Sequence, residues 1–231
     1  MASSVYQIKE YRDRVHLFRD RFHAGEILGE MIREAPVDWK NGLVLAIPAG
    51  GVPVGKKISE ILALPLELSI VRKLQIPGNR EAGFGAMAQD GTVFINTPLL
   101  NNLQLSPEEI KVEERRVREE LQRRNEHFRG GRPFPDPAGK VVILADDGLA
   151  SGYTMLASIH MAKKGRARET IVAVPTAPEQ SIERVGTEAD HIFCANIRSG
   201  PHFAVAEAYR NWYDLKDDEV LGLLRQANIR V

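Results

Sequence analysis

The chain has 231 residues, with 31 basic and 31 acidic side chains and a single cysteine, Cys194. This balance excludes a general attraction to anionic surfaces, so binding to nucleic acid or to a membrane is not expected. One cysteine cannot form an internal disulfide bond, and Cys194 lies in an apolar run typical of a core position. We see no signal peptide and no apolar run near the ~20 residues that cross a bilayer, and we therefore expect one cytoplasmic domain.

Apolar strands and helical patterns alternate along the chain. We predict strands at 43–47, 66–71, 93–95, 141–145, 170–175 and 191–195, and helices at 22–34, 52–62, 106–128, 153–164 and 178–187. Such alternation predicts an α/β fold, in which a parallel sheet carries helices on both faces. Ligands of these sheets bind beyond the carboxyl ends of the strands, so the loops at those ends are the candidate site.

The first candidate loop follows the strand at 43–47. It contains Pro48 and then Ala49, Gly50 and Gly51, and paired glycines let backbone amides approach an anion closely. An ordinary tight turn before a helix is the alternative interpretation.

The next strand ends in a basic pair, Arg72 and Lys73, and either side chain could contact a multiply charged group. A solvated basic pair is the alternative. The glycine-rich segment 75–90 follows, with Arg80 and Glu81 as charged members, and it suits either a mobile lid that excludes water or a plain surface hairpin.

The helix predicted at 106–128 is long and heavily charged. Ser106 and Pro107 give it a strong start signal, and its arginines raise the possibility of RNA binding. Interleaved glutamates favour a solvated, ion-paired face instead.

The most informative segment is the strand at 141–145, which ends in two carboxylates, Asp146 and Asp147. Carboxylates accept hydrogen bonds from neighbouring ribose hydroxyls, while loop amides, hydroxyl groups and the start of a helix bind a phosphate. A strand-to-helix turn with capping residues is the alternative. The candidate phosphate loop consists of Gly148, Leu149, Ala150, Ser151, Gly152, Tyr153 and Thr154.

This order of strand, paired acids, small residue, Ser-Gly-x-Thr and helix resembles the signature of the type I phosphoribosyltransferases. Matching phrases extend over nearly the whole chain, from Phe18–Arg21 through Pro48–Pro53 to Asp217–Val220. The resemblance implies binding of 5-phosphoribosyl-1-pyrophosphate (PRPP), and transfer of its ribose 5-phosphate to a base with release of pyrophosphate. It also implies a core at about 40–195 and a hood at about 1–35 and 196–231.

The resemblance further implies a role for each motif. Asp146 and Asp147 would hold the ribose 2′- and 3′-hydroxyls, partly through Mg²⁺, and residues 148–154 would bind the 5′-phosphate. The pyrophosphate would meet Ala49, Gly50 and Gly51 with Arg72 or Lys73, of which we favour Lys73 as the catalytic partner of the two acids. Residues 75–90 would be the lid, and a homodimer is the default expectation.

Two points leave the function open. Some family members that act on 6-oxopurines carry an acid at the position of Ala150, and alanine cannot transfer a proton. Phe203 is the candidate ring for stacking on the base, although the C-terminal aromatics could simply close a hydrophobic cluster. The alternative to an enzyme is a protein that senses PRPP or a nucleotide without turnover.

Overall fold

The computed structural model describes residues 3–227, and within that range the side chains of all residues except Arg80 and Glu81. The described strands are β1 (Ser4–Tyr6), β2 (Gly42–Ala46), β3 (Leu66–Leu68), β4 (Val71–Ile76), β5 (Asn79–Ala88), β6 (Val93–Ile95), β7 (Val141–Ala145), β8 (Glu169–Pro178) and β9 (His191–Arg198). The described α-helices are α1 (Arg21–Glu34), α2 (Gly51–Leu62), α3 (Thr97–Leu103), α4 (Pro107–Arg129), α5 (Tyr153–Lys164), α6 (Glu179–Gly186) and α7 (Asp217–Gln226).

The main sheet has six strands in the order β1-β9-β8-β7-β2-β3, and all of its described pairings are parallel. Strands β2 and β7 are buried at every position, as expected for strands covered on both faces. Alternate residues of each strand face opposite sides of the sheet, and both sides are covered. Val44 and Ile143 join the core cluster that contains residues of α1 and α2, whereas Leu43 and Val142 join the cluster that contains residues of α5 and α6. The predicted α/β class, with helices on both faces, is confirmed.

The prediction for residues 66–71 and 93–95 was wrong in one respect. The run at 66–71 contains β3 of the parallel sheet and the first residue of β4, and β4 and β6 belong to a separate sheet. Strands β4, β5 and β6 pair antiparallel. An apolar run shows that a segment is buried, but it does not show which strand will supply its hydrogen bonds.

Helix starts follow the sequence signals closely. The side chain of Asp20 accepts a hydrogen bond from the His23 amide at 2.9 Å and caps α1. Ser106 and Glu109 form a reciprocal capping box at the start of α4. Strand β1 and helices α3 and α7 were not predicted, and most of β5 lies in the segment predicted as a lid or a surface hairpin. Among the described residues, no helix combines the length and the apolar character that a membrane span requires.

The segments assigned to a hood do not lie apart from the rest of the fold. Strand β1 pairs with β9 at the edge of the main sheet, and α1 packs against α2. The C-terminal segment bridges back to the N-terminal one, because Phe18 and Tyr209 form an isolated parallel bridge. The division into core and hood stays a prediction, and residues 1–2 and 228–231 of that hood lie outside the described range.

Candidate functional site

The acidic pair, Asp146 and Asp147, lies at the carboxyl end of β7, where both residues are only partly exposed. Asp147 Oδ2 accepts a 2.8 Å hydrogen bond from Arg21 Nε, and the Asp147 side chain exposes 15 % of its surface. Asp146 Oδ1 accepts a 2.8 Å hydrogen bond from the Asp147 amide. The strand therefore delivers both carboxylates to the same recess, and α1 contributes a cation to one of them.

This recess changes the acidity of both residues. Burial raises the pKa of Asp146 well above its ordinary value of 3.8, and the neighbouring charge of Asp147 raises it further. Burial also raises the pKa of Asp147, although the Arg21 guanidinium opposes that rise. Because the ionised pair is poorly solvated, a ligand that supplies hydroxyl donors or a cation would stabilise it.

The loop after β2 approaches the acidic pair too closely for any residue but glycine. A Cβ atom at Gly50 would lie 1.9 Å from Asp147 Oδ2, and one at Gly51 would lie 2.5 Å from the Ala145 carbonyl oxygen. The peptide bond between Pro48 and Ala49 is cis. Close backbone approach is thus the physical reason for the paired glycines.

A cleft of about 400 Å³, which we call the acidic cleft, unites three of the predicted segments. It is lined by Ile47, Pro48, Ala49, Gly50, Val71, Arg72, Lys73, Gln75, Arg116, Glu120, Asp146, Asp147 and Thr154. The glycine loop follows β2 and the acidic pair follows β7, so the fold brings them together. The prediction that the basic pair ends a strand was wrong, because Arg72 and Lys73 lie at the start of β4, directly after Val71. Gly51 and most of the predicted phosphate loop lie beside this cleft, not in its lining.

Arg72 and Lys73 of the basic pair have different surroundings. Arg72 Nε lies 2.7 Å from Glu120 Oε1 of α4, whereas the exposed Lys73 has no carboxylate within 4.0 Å among the described residues. Of the two, Lys73 is therefore the cation without a carboxylate partner among the described residues, and its contact with a ligand stays a prediction.

Helix α4 contributes to the acidic cleft, which its charge pattern did not predict. Arg116 and Glu120 line the cleft, and Arg116 also forms ion pairs with Glu113 at 2.7 Å and with Glu120 at 3.3 Å. Those (i, i+3) and (i, i+4) pairs are the pattern that suggested a wholly solvated face. The apolar residues Val117, Leu121 and Phe128 predicted that one side of α4 packs against the fold, and they are buried, but they did not identify β4 as the partner.

Two side chains of α6 donate hydrogen bonds to the backbone of the predicted phosphate loop. Ser181 Oγ donates a hydrogen bond to the Ala150 carbonyl oxygen, and Arg184 Nη1 donates one of 2.6 Å to that of Ser151. Gly152 has a φ of 80°, which favours glycine. The loop leads directly into α5, and the start of a helix is a favourable place for an anion.

The side chains of that loop do not all face a ligand. Leu149 is 1 % exposed and belongs to the core cluster beneath α5 and α6. The Tyr153 hydroxyl accepts a 2.5 Å hydrogen bond from Asn96 Nδ2, and its ring stacks on Phe94. The side chains of Leu149 and Tyr153 are therefore engaged elsewhere, and only their backbone could meet a ligand. The Thr154 side chain borders the acidic cleft.

A second cleft of about 420 Å³ borders the phosphate loop on its other side, and we call it the aromatic cleft. It is lined by Ala150, Ser151, Pro178, Glu179, Gln180, Arg198, Ser199, Gly200, Pro201 and Phe203. Phe203 is half-buried here. The other C-terminal aromatics act elsewhere: Tyr209 is buried in the core, and the Trp212 ring lies 3.9 Å from the Arg21 guanidinium carbon.

Arg21 was missed as a functional candidate, although it lies within a family-like phrase of the sequence. Arg21 donates a hydrogen bond to Asp147, which is 126 residues away, and no local sequence pattern predicts that contact. The predicted lid, residues 75–90, contains the turn of the β4–β5 hairpin, and Gln75, close to that turn, lines the acidic cleft. The side chains of Arg80 and Glu81 lie outside the described residues, so their part in a lid stays a prediction.

Cys194 is a core residue, as its sequence context predicted. It is fully buried, and that burial raises the pKa of its thiol to about 12. A thiol in this environment does not serve as a nucleophile at neutral pH.

The donor set of the site suits a magnesium ion that is shared with a ligand. No group of three or more His, Cys, Asp or Glu side chains in the described part of the chain could hold a metal. Mg²⁺ typically binds one or two carboxylates together with substrate oxygens and water, which fits the two carboxylates of the acidic pair.

Comparison with known proteins agrees with this geometry. The profile of the family described as "Phosphoribosyl transferase domain" matches residues 20–212. The chain belongs to this family. A protein of Mycobacterium tuberculosis H37Rv, whose name describes a candidate phosphoribosyl transferase, is 36% identical over 212 residues. That alignment covers 92% of this chain and 47% of the relative, so the chain spans about half the length of the curated relatives it matches.

Solved structures show the same architecture. The crystal structure of TT1426 from Thermus thermophilus is 31% identical, covers 90% of this chain and 98% of its own, and superposes with a TM-score of 0.75. The AQ2163 protein from Aquifex aeolicus is 11% identical and covers 82% of this chain and 78% of its own, with a TM-score of 0.51. The second likeness supports the fold alone.

Proposed function

We propose that the protein transfers ribose 5-phosphate from PRPP to a ring nitrogen of a heterocyclic base and releases pyrophosphate. The observation that carries this proposal is the acidic cleft. There the acidic pair, the glycine loop and Lys73 meet in one recess of about 400 Å³. Family membership supports the reaction class, and the arrangement of charges supports the placement of each part of the substrate.

In the proposed reaction, the bond between the sugar C1 and a pyrophosphate oxygen breaks, and pyrophosphate leaves with the electron pair. The lone pair of a base nitrogen forms the new bond to C1, and that nitrogen later releases its proton. Positive charge develops on the sugar and negative charge on the leaving group, so catalysis depends on positioning and on electrostatic stabilisation. Lys73 and the backbone at Gly50 and Gly51 would stabilise the departing pyrophosphate.

The sugar would be held at two points. Asp146 and Asp147 would accept hydrogen bonds from its neighbouring hydroxyls, and the backbone of residues 148–154 would bind the 5′-phosphate, with the Ser151 and Thr154 hydroxyls as further donors. Because Arg21 already bonds one oxygen of Asp147, it would orient that carboxylate. The β4–β5 hairpin would exclude water from the reacting carbon.

The acidic pair fits Mg²⁺, as described above, and a bound ion would disperse charge between the sugar hydroxyls and the pyrophosphate. Asp146 and Asp147 would hold it partly through the hydroxyls or through water. Lys73 supplies a protein cation on the same side of the leaving group.

Asp147→Asn tests the proposal. This change keeps the shape of the side chain but removes its charge, so we expect the affinity for PRPP with Mg²⁺ to fall by about tenfold or more, which is about 1.4 kcal/mol. Calorimetry measures binding, and a pyrophosphate-release assay across purine and pyrimidine bases measures turnover. The exposed Asp218→Asn on α7 is the control and should change neither quantity. Undiminished binding and turnover in Asp147→Asn would contradict the assigned role.

A second candidate function is sensing of PRPP or a nucleotide without turnover. Ala150 favours this candidate, because alanine offers no group for proton transfer at a position that borders the aromatic cleft. Binding of PRPP without pyrophosphate release for any base, together with PRPP-dependent binding of a protein or nucleic acid, would support the sensor. Pyrophosphate release with one base would support the enzyme.

A homodimer stays a prediction, which sedimentation of the full chain would test.

A further inference from the structure

Arg198 at the end of β9 holds a hydrogen-bond donor without a partner. It lines the aromatic cleft, and its side chain is 12% exposed. Its Nη2 donates a 3.2 Å hydrogen bond to Glu207 Oε2, but its Nη1 is buried and has no acceptor among the described residues. Buried donors are nearly always satisfied in folded proteins, so this N–H group is available to an acceptor supplied by water or by a ligand.

Two other polar side chains of the aromatic cleft, Glu179 and Ser199, already have a common partner. Glu179 Oε1 accepts a 2.9 Å hydrogen bond from Arg12 Nη2, and the same nitrogen lies 3.2 Å from Ser199 Oγ. Ala150 contributes a methyl group and Phe203 a ring. The cleft therefore combines an apolar wall, a ring suited to stacking and an arginine with spare donor capacity.

The ion pair that holds Arg198 is a weak one. Its one carboxylate partner among the described residues, Glu207, is 44% exposed, and ion pairs with exposed carboxylates are weak. A ligand oxygen that reached the guanidinium could therefore satisfy Nη1 without breaking a strong buried pair. The fork of a guanidinium group also favours planar acceptors.

We propose that Arg198 selects the acceptor base by its exocyclic oxo group, and that the aromatic cleft holds this base. A guanidinium carries only N–H donors, so it binds a carbonyl oxygen and opposes an amino group, whose own hydrogens would face it. Arg198 recognises this oxygen and transfers no proton, which is consistent with the absence of an acid at Ala150. The inference rests on the proposed function, because it requires the ribose 5-phosphate to lie at the phosphate loop.

Product nucleotides test this selection without requiring turnover. Calorimetry of the full chain with Mg²⁺ would compare inosine with adenosine monophosphate and uridine with cytidine monophosphate, pairs that differ in an oxo or amino group. We expect the oxo member to bind about tenfold more tightly or better in at least one pair, since a site built around a hydrogen bond rejects analogues that cannot make it. Equal affinity within both pairs, or tighter binding of an amino member, would overturn the proposal.

Two variants and a base-free probe separate the possible causes. Arg198→Met should reduce the oxo preference to within about twofold while leaving affinity for ribose 5-phosphate unchanged, because it removes only the donors that meet the base. Glu207→Gln is the control: it removes the ion-pair partner and keeps the donors, so the preference should persist. An Arg198→Met variant that retained the preference would refute the role.

Ribose 5-phosphate distinguishes failure of this inference from failure of the proposed function. If ribose 5-phosphate and PRPP bind and the bases are not distinguished, the role of Arg198 is wrong and the proposed function stands. If neither sugar phosphate binds, the proposed function is wrong and the inference falls with it.

Discussion

Arg21 joins the acidic pair to the C-terminal segment, and its removal should therefore weaken the whole fold. Its Nε bonds Asp147 at 2.8 Å, its Nη1 donates to the Tyr213 carbonyl oxygen at 2.8 Å, and its guanidinium lies 3.9 Å from the Trp212 ring centre. The side chains of Arg21 and Asp147 are only 7% and 15% exposed, so solvent screens their attraction weakly.

The magnitude follows from these contacts. A hydrogen bond between charged groups contributes about 1.5–3 kcal/mol. A partly desolvated cation–π contact adds about 0.5–2 kcal/mol. Arg21→Met keeps an unbranched chain in the site but removes every donor and the charge. We expect the free energy of unfolding to fall by about 2–4 kcal/mol, in part because Asp147 is left recessed without a cation.

Urea unfolding of four proteins measures this effect: the wild type, Arg21→Met, Asp147→Asn and the double variant. Because Asp147→Asn removes the stranded charge, the double variant should recover part of the loss, with a coupling energy of about 1.5–3 kcal/mol. Arg19→Met is the matched control, since Arg19 is 63% exposed and lies 3.8 Å from Glu26. That control should change stability by less than about 0.5 kcal/mol. If the stability losses of the two single variants sum to the loss of the double variant within about 0.5 kcal/mol, the coupling is refuted.

Two further changes test the site and the fold. Gly50→Ala would place a Cβ atom 1.9 Å from a carboxylate oxygen of the acidic pair. PRPP affinity should therefore fall, and the free energy of unfolding should drop by about 1–3 kcal/mol. The calorimetric control is Gly222→Ala, because a Cβ atom at Gly222 would meet no other side chain or element within 4 Å. At Asp90, burial favours a higher pKa, but hydrogen bonds from Thr92 and Lys164 outweigh it and hold the pKa below its ordinary 3.8. The ionised form is thus stabilised by folding, and this contribution is present above pH 3.8 and lost as pH falls through the folded pKa. Asp90→Asn should cost up to about 1 kcal/mol in urea unfolding at pH 6, and a difference that persisted at pH 2 would contradict the assignment.

Much of the architecture was predictable because it depends on short-range patterns. The apolar runs of β2 and β7 showed strands covered on both faces, and the carboxylates after β7 marked the site edge. Parallel strands place their carboxyl ends together, so the meeting of the glycine loop with the acidic pair followed from the class of fold.

The second sheet was not predictable on the same grounds. The chain leaves the parallel sheet after Leu68, and Val71 begins an antiparallel strand that pairs with β5. The apolar run at 66–71 contains β3 and only the first residue of β4, and its hydropathy does not show which sheet each part joins. The choice of partner depends on β5 and β6, which are further along the chain.

By itself, the sequence determined the α/β class, the acidic pair, the glycines that allow close backbone approach, and the family resemblance. Only the tertiary structure decided that Arg21 donates a hydrogen bond to Asp147 and that Arg72 pairs with Glu120 of α4. It also decided that, in the part of the chain that the structure describes, Lys73 has no carboxylate partner and Arg198 Nη1 has no acceptor. The physical reason is that periodicity and capping act over a few neighbouring residues. Contacts between charged side chains far apart in sequence exist only once the strands and helices have packed.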